Sequence, residues 1–319
     1  MWALLIGVVV VSIGTIYQFI SVTREQRRFP PPGRLVDIGG RRLHVLCLGE
    51  GAPTVIMESS GLGSSVGAAA VREAVSRQTR VCSYDRAGLG WSDAGAAEIS
   101  AGDFADDLLR LLDRGSIRPP YLLVPASVGG LTAEMFARRN PDRIAGMVWL
   151  DAADSGVLER VTARLRSTVI SIETPVCLAR VGANLGLLRI LNPLDLDGGT
   201  DDGARTVALT YRAEPMATLC AQVRGLPRSA REFAAAPPLR SDLPMTVLTA
   251  SSLHGMLPPA FQSRVEGLAP QWRAAQEGLS QRSSLATWRV VEGGDHLLAS
   301  SKPDAVTAAI LELLAVVRK

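Results

Sequence analysis

The chain opens on residues 2–20 (WALLIGVVVVSIGTIYQFI), an almost unbroken apolar run with no charged side chain. A helix needs about 20 such residues to cross roughly 30 Å of hydrocarbon, so the run predicts a membrane-spanning helix. A cleavable signal peptide has basic residues ahead of a shorter apolar core and a small-residue cleavage site behind it. Neither is clear here, and residues 1–23 read as an uncleaved transmembrane anchor. Phe29-Pro30-Pro31-Pro32-Gly33 follows. Proline fixes φ and lacks the amide donor, so residues 24–34 predict a stiff Pro-rich spacer.

Beyond the spacer come short apolar, β-rich runs: RRLHVLCL (41–48), TVIM (54–57), RVCSY (80–84), YLLV (121–124), MVWL (147–150), MTVLT (245–249) and WRVV (288–291). Short strands without polar alternation suit a parallel sheet buried on both faces. Between them lie amphipathic stretches at 103–114 (DFADDLLRLLDR) and 131–139, and a closing segment at 303–317 with proline in its first turn. The alternation predicts an α/β fold with a mostly parallel central sheet flanked by helices. Residues 155–240 break it with helix-like pieces separated by Asn192-Pro193 and Asp197-Gly198. They are read as a helical cap inserted before the penultimate strand, dividing the core into residues 35–154 and 241–319; such insertions often cover a substrate.

Composition narrows the classes. A chain of 319 residues with 47% hydrophobic content can bury a substantial core. Lys plus Arg total 34 against 31 for Asp plus Glu, so no polybasic surface for nucleic acid is implied. The four cysteines, Cys47, Cys82, Cys177 and Cys220, are far apart, form no CxxC pair and have no histidine at metal-ligand spacing. They read as buried thiols, and no metal or organic cofactor is indicated. Arg24, Arg27 and Arg28 follow the apolar run at once, and the positive-inside tendency then puts the soluble domain on the cytoplasmic side.

The decisive chemistry is in LLVPASVGGL at 122–131, where an apolar strand runs into a serine flanked by small residues and then into a helix. That is the context of a nucleophile elbow, with Ser127 pushed out of the sheet by a tight turn. A strand-to-helix turn with a capping serine is the plainer alternative. Upstream, PTVIMESSGLGSS (53–65) is a strand followed by a Gly-rich loop. By position, the backbone amides of Leu62 and Val128 are assigned to an oxyanion hole, against the alternative of an ordinary flexible loop. A serine nucleophile needs a base, and the chain has three histidines. His44 lies before the nucleophile, while His296 follows the last strand in EGGDH, as the order Ser, acid, His requires. His254 is the reserve. No carboxylate follows strand 245–249 until Glu266, so the acid is assigned to Asp151 at the end of MVWL, with Asp154 second and a purely structural Asp151 left open.

Over PPPGRLVDIGGRRLHVLCLGEGAPTVIMES, TRVCSYDRAGLGWSD, PYLLVPASVGGLTAEMFARRNPDRIAGMVWLDAAD and GGDHLLASSKPDAVTAAI the chain resembles a bacterial α/β-hydrolase family, across nearly all of its soluble part. The resemblance implies hydrolysis of a carboxylic ester or thioester through an acyl-serine intermediate. Ser127 is then the nucleophile, His296 the base and Asp151 its orienting acid, with Asp85 and Arg86 structural. Two departures touch the site. The family reads V-G-H-S-x-G-G where this chain has Val124-Pro125-Ala126-Ser127-Val128-Gly129-Gly130, and E-A-G-L-G where it has Glu58-Ser59-Ser60-Gly61-Leu62-Gly63. Epoxide hydrolases and dehalogenases of this fold use an aspartate nucleophile, and Ser127 counts against them. The apolar cap, with LGLLRIL at 185–191, predicts a hydrophobic small-molecule or acyl substrate. A biosynthetic thioesterase releasing a polyketide-like or fatty acyl product, with an acyl-carrier protein as partner, is a rival within the class. A non-hydrolytic cyclase or binding protein on the same fold is a rival outside it.

Overall fold

The computed structural model describes residues 1–165, 169–196, 199–256, 262 and 267–319. Its centre is an eight-stranded sheet in the order β1-β2-β4-β3-β5-β6-β7-β8. The strands are β1 (Arg34–Asp37), β2 (Arg42–Leu48), β3 (Thr54–Glu58), β4 (Val81–Tyr84), β5 (Tyr121–Pro125), β6 (Ile144–Leu150), β7 (Met245–Ala250) and β8 (Ala286–Val291). β1 and β2 run antiparallel to their neighbours, and β4, β3 and β5 to β8 are mutually parallel.

The apolar runs follow from burial on both faces. Successive side chains of a strand point to opposite sides. Leu122 and Val124 thus join Val55, Val148, Leu150 and Leu248 in one core cluster, shared with Val71 and Val75 of α2 (Ala69–Ser76) and Ile310 and Leu313 of α12 (Pro303–Val317). Tyr121 and Leu123 join Ile56, Met147, Trp149 and Val247 in the other, shared with Leu108 and Leu111 of α3 (Ala101–Arg114) and Phe136 of α4 (Gly129–Arg139). α3 opens with a reciprocal capping box, the Ser100 hydroxyl accepting from the Asp103 amide while the Asp103 carboxylate accepts from the Ser100 amide. β1 lies outside the strands read from sequence because only Val36 of its four residues is buried, too short a pattern to register.

Between β6 and β7 the chain builds helices α5 (Ser155–Leu165), α6 (Val169–Asn184), α7 (Leu187–Leu191), α8 (Asp201–Thr210) and α9 (Ala213–Ala235). After β7 come α10 (Ala269–Ser280), β8, the short α11 (Leu298–Ser301) and α12. At the other end, α1 spans Trp2–Arg28, and its stretch Leu4–Arg28 is long and apolar enough to cross a membrane.

The cysteines are not thiols. Antiparallel pairing of β2 with β4 sets Cys47 opposite Cys82, their Cα atoms 4.0 Å apart, and the two are disulfide-bonded. Packing of α6 along α9 brings Cys177 to Cys220 in a second disulfide, with Cα atoms 4.9 Å apart. Both bridges join residues distant in sequence, so spacing alone carried no sign of them.

Candidate active site

Ser127 sits where β5 turns into α4, at φ +54°, in the left-handed region that costs a non-glycine residue about 1–3 kcal/mol. The surrounding backbone enforces it. The Ala126 amide donates to Glu58 O (3.0 Å) and the Ala153 amide to Ser127 O (2.9 Å), pinning the turn to β3 and to the segment after β6. The two glycines after Val128 are there for space. A Cβ on Gly129 would lie 2.4 Å from Ser59 O, and one on Gly130 would lie 2.1 Å from Ala153 O. Pro125 ends β5 beside Glu58, and the next ladder bond is made by Ala126, so the proline's missing amide is tolerated.

The structure brings Ser127, His296 and Asp151 into one hydrogen-bonded chain. His296 Nε2 is 2.8 Å from Ser127 Oγ, and His296 Nδ1 is 2.6 Å from Asp151 Oδ2. Asp151 is fully buried directly after β6, with its amide donating to Leu248 O (2.8 Å). Its second oxygen, Oδ1, accepts from the Ala250 amide (3.0 Å) and from Trp272 Nε1 (2.9 Å). The carboxylate therefore has a fixed orientation before histidine is considered. The His296 amide donates to His254 O (3.0 Å), and the Trp272 ring stands edge-on to the imidazole at 5.9 Å. Trp272 was not legible as a site residue, since an indole on an amphipathic helix carries no local signature of the carboxylate it will meet.

The other candidates lie elsewhere. The His254 side chain is exposed. Asp154 is buried but pairs with Arg282 (3.1 Å) and caps the Val157 amide (2.8 Å); burial, and then the nearby Glu134 charge, push its carboxyl up. Glu266 is outside the described residues. His44 is a buried strut: Nδ1 lies 3.0 Å from both Asp85 Oδ2 and Ser65 Oγ, and Nε2 accepts from the Gly33 amide (3.0 Å). Asp85 also accepts from the Ser65 and Trp91 amides, holding two loops together.

Beside Ser127 is a pocket of about 110 Å³, lined among others by Ser59, Ser60, Val124, Leu150, His296 and Leu297. Leu62 is not among its lining residues. Residues 60–63 form a turn closed by the Gly63 amide on Ser60 O (3.1 Å). From the loop after β3, Ser59, Ser60, Gly63, Ser64 and Ser65 line the pocket. No described cap residue between 155 and 240 lines the pocket. The apolar residues Leu187, Ile190 and Leu191 face outward instead.

Glu58, at the end of β3, is buried under the loop that carries Ser59 and Ser60. The Tyr84 hydroxyl donates to its Oε2, and Arg86 Nη1 lies 3.3 Å from its Oε1. Burial raises the carboxyl to about 7, against the opposing pull of Arg86 and of the Tyr84 hydrogen bond. Arg86 in turn donates to Ser60 O and Gly61 O, so it clamps the same loop from below.

Comparison with known proteins agrees with this architecture. Residues 53–291 match the model of the alpha/beta hydrolase fold family, and the chain belongs to that family. YbdG of Bacillus subtilis (strain 168) is 27% identical over 150 residues, 45% of each chain. The chain spans less than half the length of the curated relatives it matches. Among solved structures, an esterase from Thermogutta terrifontis is similar at a TM-score of 0.60 and 21% identity, covering 88% of this chain and 95% of that one. Potato (Solanum tuberosum) epoxide hydrolase I reaches a TM-score of 0.68 at 17% identity, covering 89% and 98%. At these identities the likeness is one of fold.

Two predictions follow from the geometry. Asp151→Asn, which replaces an acceptor by an amide able to present the wrong polarity to Nδ1, is expected to cut kcat on an activated ester by about 10⁴-fold with an unchanged circular-dichroism spectrum; activity within tenfold of wild type would remove Asp151 from the site. For Glu58, the folded-state value near 7 exceeds the ordinary 4.5, so the folded protein holds the proton more tightly. The stability contributed by this group is complete below 4.5 and is lost as pH rises through about 7. Denaturant midpoints measured across that window should decline less in Glu58→Gln than in wild type, and parallel curves would contradict the assignment.

Proposed function

We propose that this protein is a serine hydrolase that cleaves a carboxylic ester or thioester through an acyl-serine intermediate. The observation that carries the reading is the continuous chain from Ser127 Oγ through His296 to Asp151, at 2.8 and 2.6 Å. In acylation, Ser127 Oγ bonds to the substrate carbonyl carbon as its proton passes to His296 Nε2. The bond to the leaving group then breaks, and His296 returns the proton to the departing oxygen or sulfur. In deacylation a water molecule follows the same course and regenerates Ser127. Asp151 holds the Nδ1–H tautomer and stabilises the imidazolium. The developing oxyanion accepts hydrogen bonds from the amides of Val128 and of Ser60, which takes the part first assigned to Leu62.

The pocket bears on the substrate. At about 110 Å³ it is smaller than the ~150 Å³ cavity known to admit benzene, so the group held next to Ser127 is small. A longer hydrophobic chain, the acyl or polyketide-like substrate expected from sequence, extends past the exposed Leu297. The esterase neighbour shares the fold alone. The epoxide hydrolase neighbour shares the fold, but the residue at the elbow here is serine.

The same proposal makes α1 a membrane anchor with the catalytic domain on the extracytoplasmic side. The arginines after the apolar run favoured the cytoplasm, but two disulfides, with no free cysteine, suit an oxidising compartment, and disulfides are rare in the cytosol.

A fluorophosphonate probe should place its adduct on Ser127 by mass spectrometry, and Ser127→Ala should carry none; well-folded wild type that takes no adduct would favour a cyclase or binding protein. A panel of esters and acyl thioesters, including acyl-carrier protein conjugates, then separates an esterase from a biosynthetic thioesterase. In right-side-out membrane vesicles, added protease should digest the domain. Protection until detergent is added would return it to the cytoplasmic side.

A further inference from the structure

Away from the pocket, exposed large apolar side chains gather on one part of the cap. Leu178 and Val181 of α6 and Leu187, Ile190 and Leu191 of α7 are 45–70% exposed. Outside α1 and the active site, other such residues, including Leu35, Leu268, Leu285 and Val316, are dispersed along the chain. Five large apolar side chains exposed on two consecutive helices are unusual on a surface bathed only by water. The one charged residue of α7, Arg189, turns away from it. Its Nε donates to Gln18 Oε1 (2.9 Å), and its guanidinium pairs with Glu25 of α1.

The position of this face relative to α1 says what covers it. A Cβ on Gly14 would lie 2.6 Å from Leu185 O, and one on Gly186 would lie 2.6 Å from the Tyr17 ring. The turn between α6 and α7 therefore lies directly against the apolar stretch of α1, through the small residues that let backbones approach within membranes. Gln18, the one amide side chain in that stretch, is buried and donates to Tyr211 O (2.9 Å) as well as accepting from Arg189, so the cap meets its hydrogen-bonding needs where lipid could not. At 1.5 Å per residue, Gly14 is about 9 Å along the axis from Ile20, where the apolar run ends. If that run fills the hydrocarbon, the α6–α7 turn reaches the depth of about 5–10 Å at which interfacial amphipathic helices bury their apolar faces.

We propose that the cap docks on the lipid bilayer, with the outer face of α7 and the adjoining end of α6 seated in the boundary between headgroups and acyl chains beside α1. The inference rests on the membrane-anchored reading and adds to it a second point of contact. The enzyme is then held with its cap against the membrane rather than hanging from a tether, and meets substrates dissolved in lipid.

The test uses the full chain in vesicles of phosphatidylcholine and phosphatidylglycerol. Because the native cysteines are paired, a single added cysteine is the one site for a nitroxide label. Labels are placed by Val8→Cys in α1, Ile190→Cys and Leu191→Cys in α7, and Glu277→Cys on the exposed side of α10. Hydrolysis of a water-soluble ester at the wild-type rate checks each variant's fold. Collision with oxygen, which concentrates in lipid, is compared with collision with a water-soluble nickel chelate. The expected result is an oxygen-to-nickel ratio at positions 8, 190 and 191 several-fold above that at 277. If 190 and 191 match 277 while 8 stays lipid-like, the docking is wrong and the anchor stands. If 8 also matches 277, the anchor reading fails and the docking with it. Spin–spin broadening at 190 that disappears on dilution with unlabelled protein, without a raised oxygen ratio, would mean that a second copy covers the face, and overturns the proposal.

Discussion

A carboxylate without access to water has to find its partners within the protein, and the arrangement around Asp151 is the constraint on which the site depends. Its oxygens meet the Ala250 amide at the end of β7, the Trp272 indole on α10 and the His296 imidazole after β8. An uncompensated buried charge costs several kcal/mol, so the three elements are tied to one another through a single side chain. Adjacency of β6 and β7 supplies the first donor, the helix between β7 and β8 the second, and the loop closing β8 the third. His296 is presented to Ser127 as a result of this convergence.

A second buried network carries the opposite wall. Glu58, Tyr84 and Arg86 lie beneath the loop after β3, and Arg86 takes the carbonyls of Ser60 and Gly61 while stacking at 5.2 Å over the Phe104 ring. Turning those carbonyls inward constrains the peptide planes that bound the pocket. Arg86, which sequence reading classed as structural, thus shapes the site without touching it.

The parts of the fold that depend on local pattern were legible. Doubly buried strands leave apolar runs, small residues surround Ser127, chain order selected His296, and the lack of a carboxylate after strand 245–249 pointed to Asp151; the structure brings the three side chains together. Features created by pairing at a distance left no such trace. The disulfide between Cys47 and Cys82 exists because β2 lies next to β4, not β3. Trp272 meets Asp151 across 121 residues of sequence. The apolar cap run was taken as substrate-facing because composition records hydrophobicity without direction.

The glycines after Val128 have a consequence for how the site can change. With Gly129 against Ser59 O and Gly130 against Ala153 O, the elbow has no room to retreat when a group is attached to Ser127. The facing loop is itself held by Arg86 and by Asp85, so any accommodation must come from the segment that follows His296. The wall held by the elbow and the loop after β3 is fixed, so change in the pocket is left to the segment after His296 while Ser127 keeps its position.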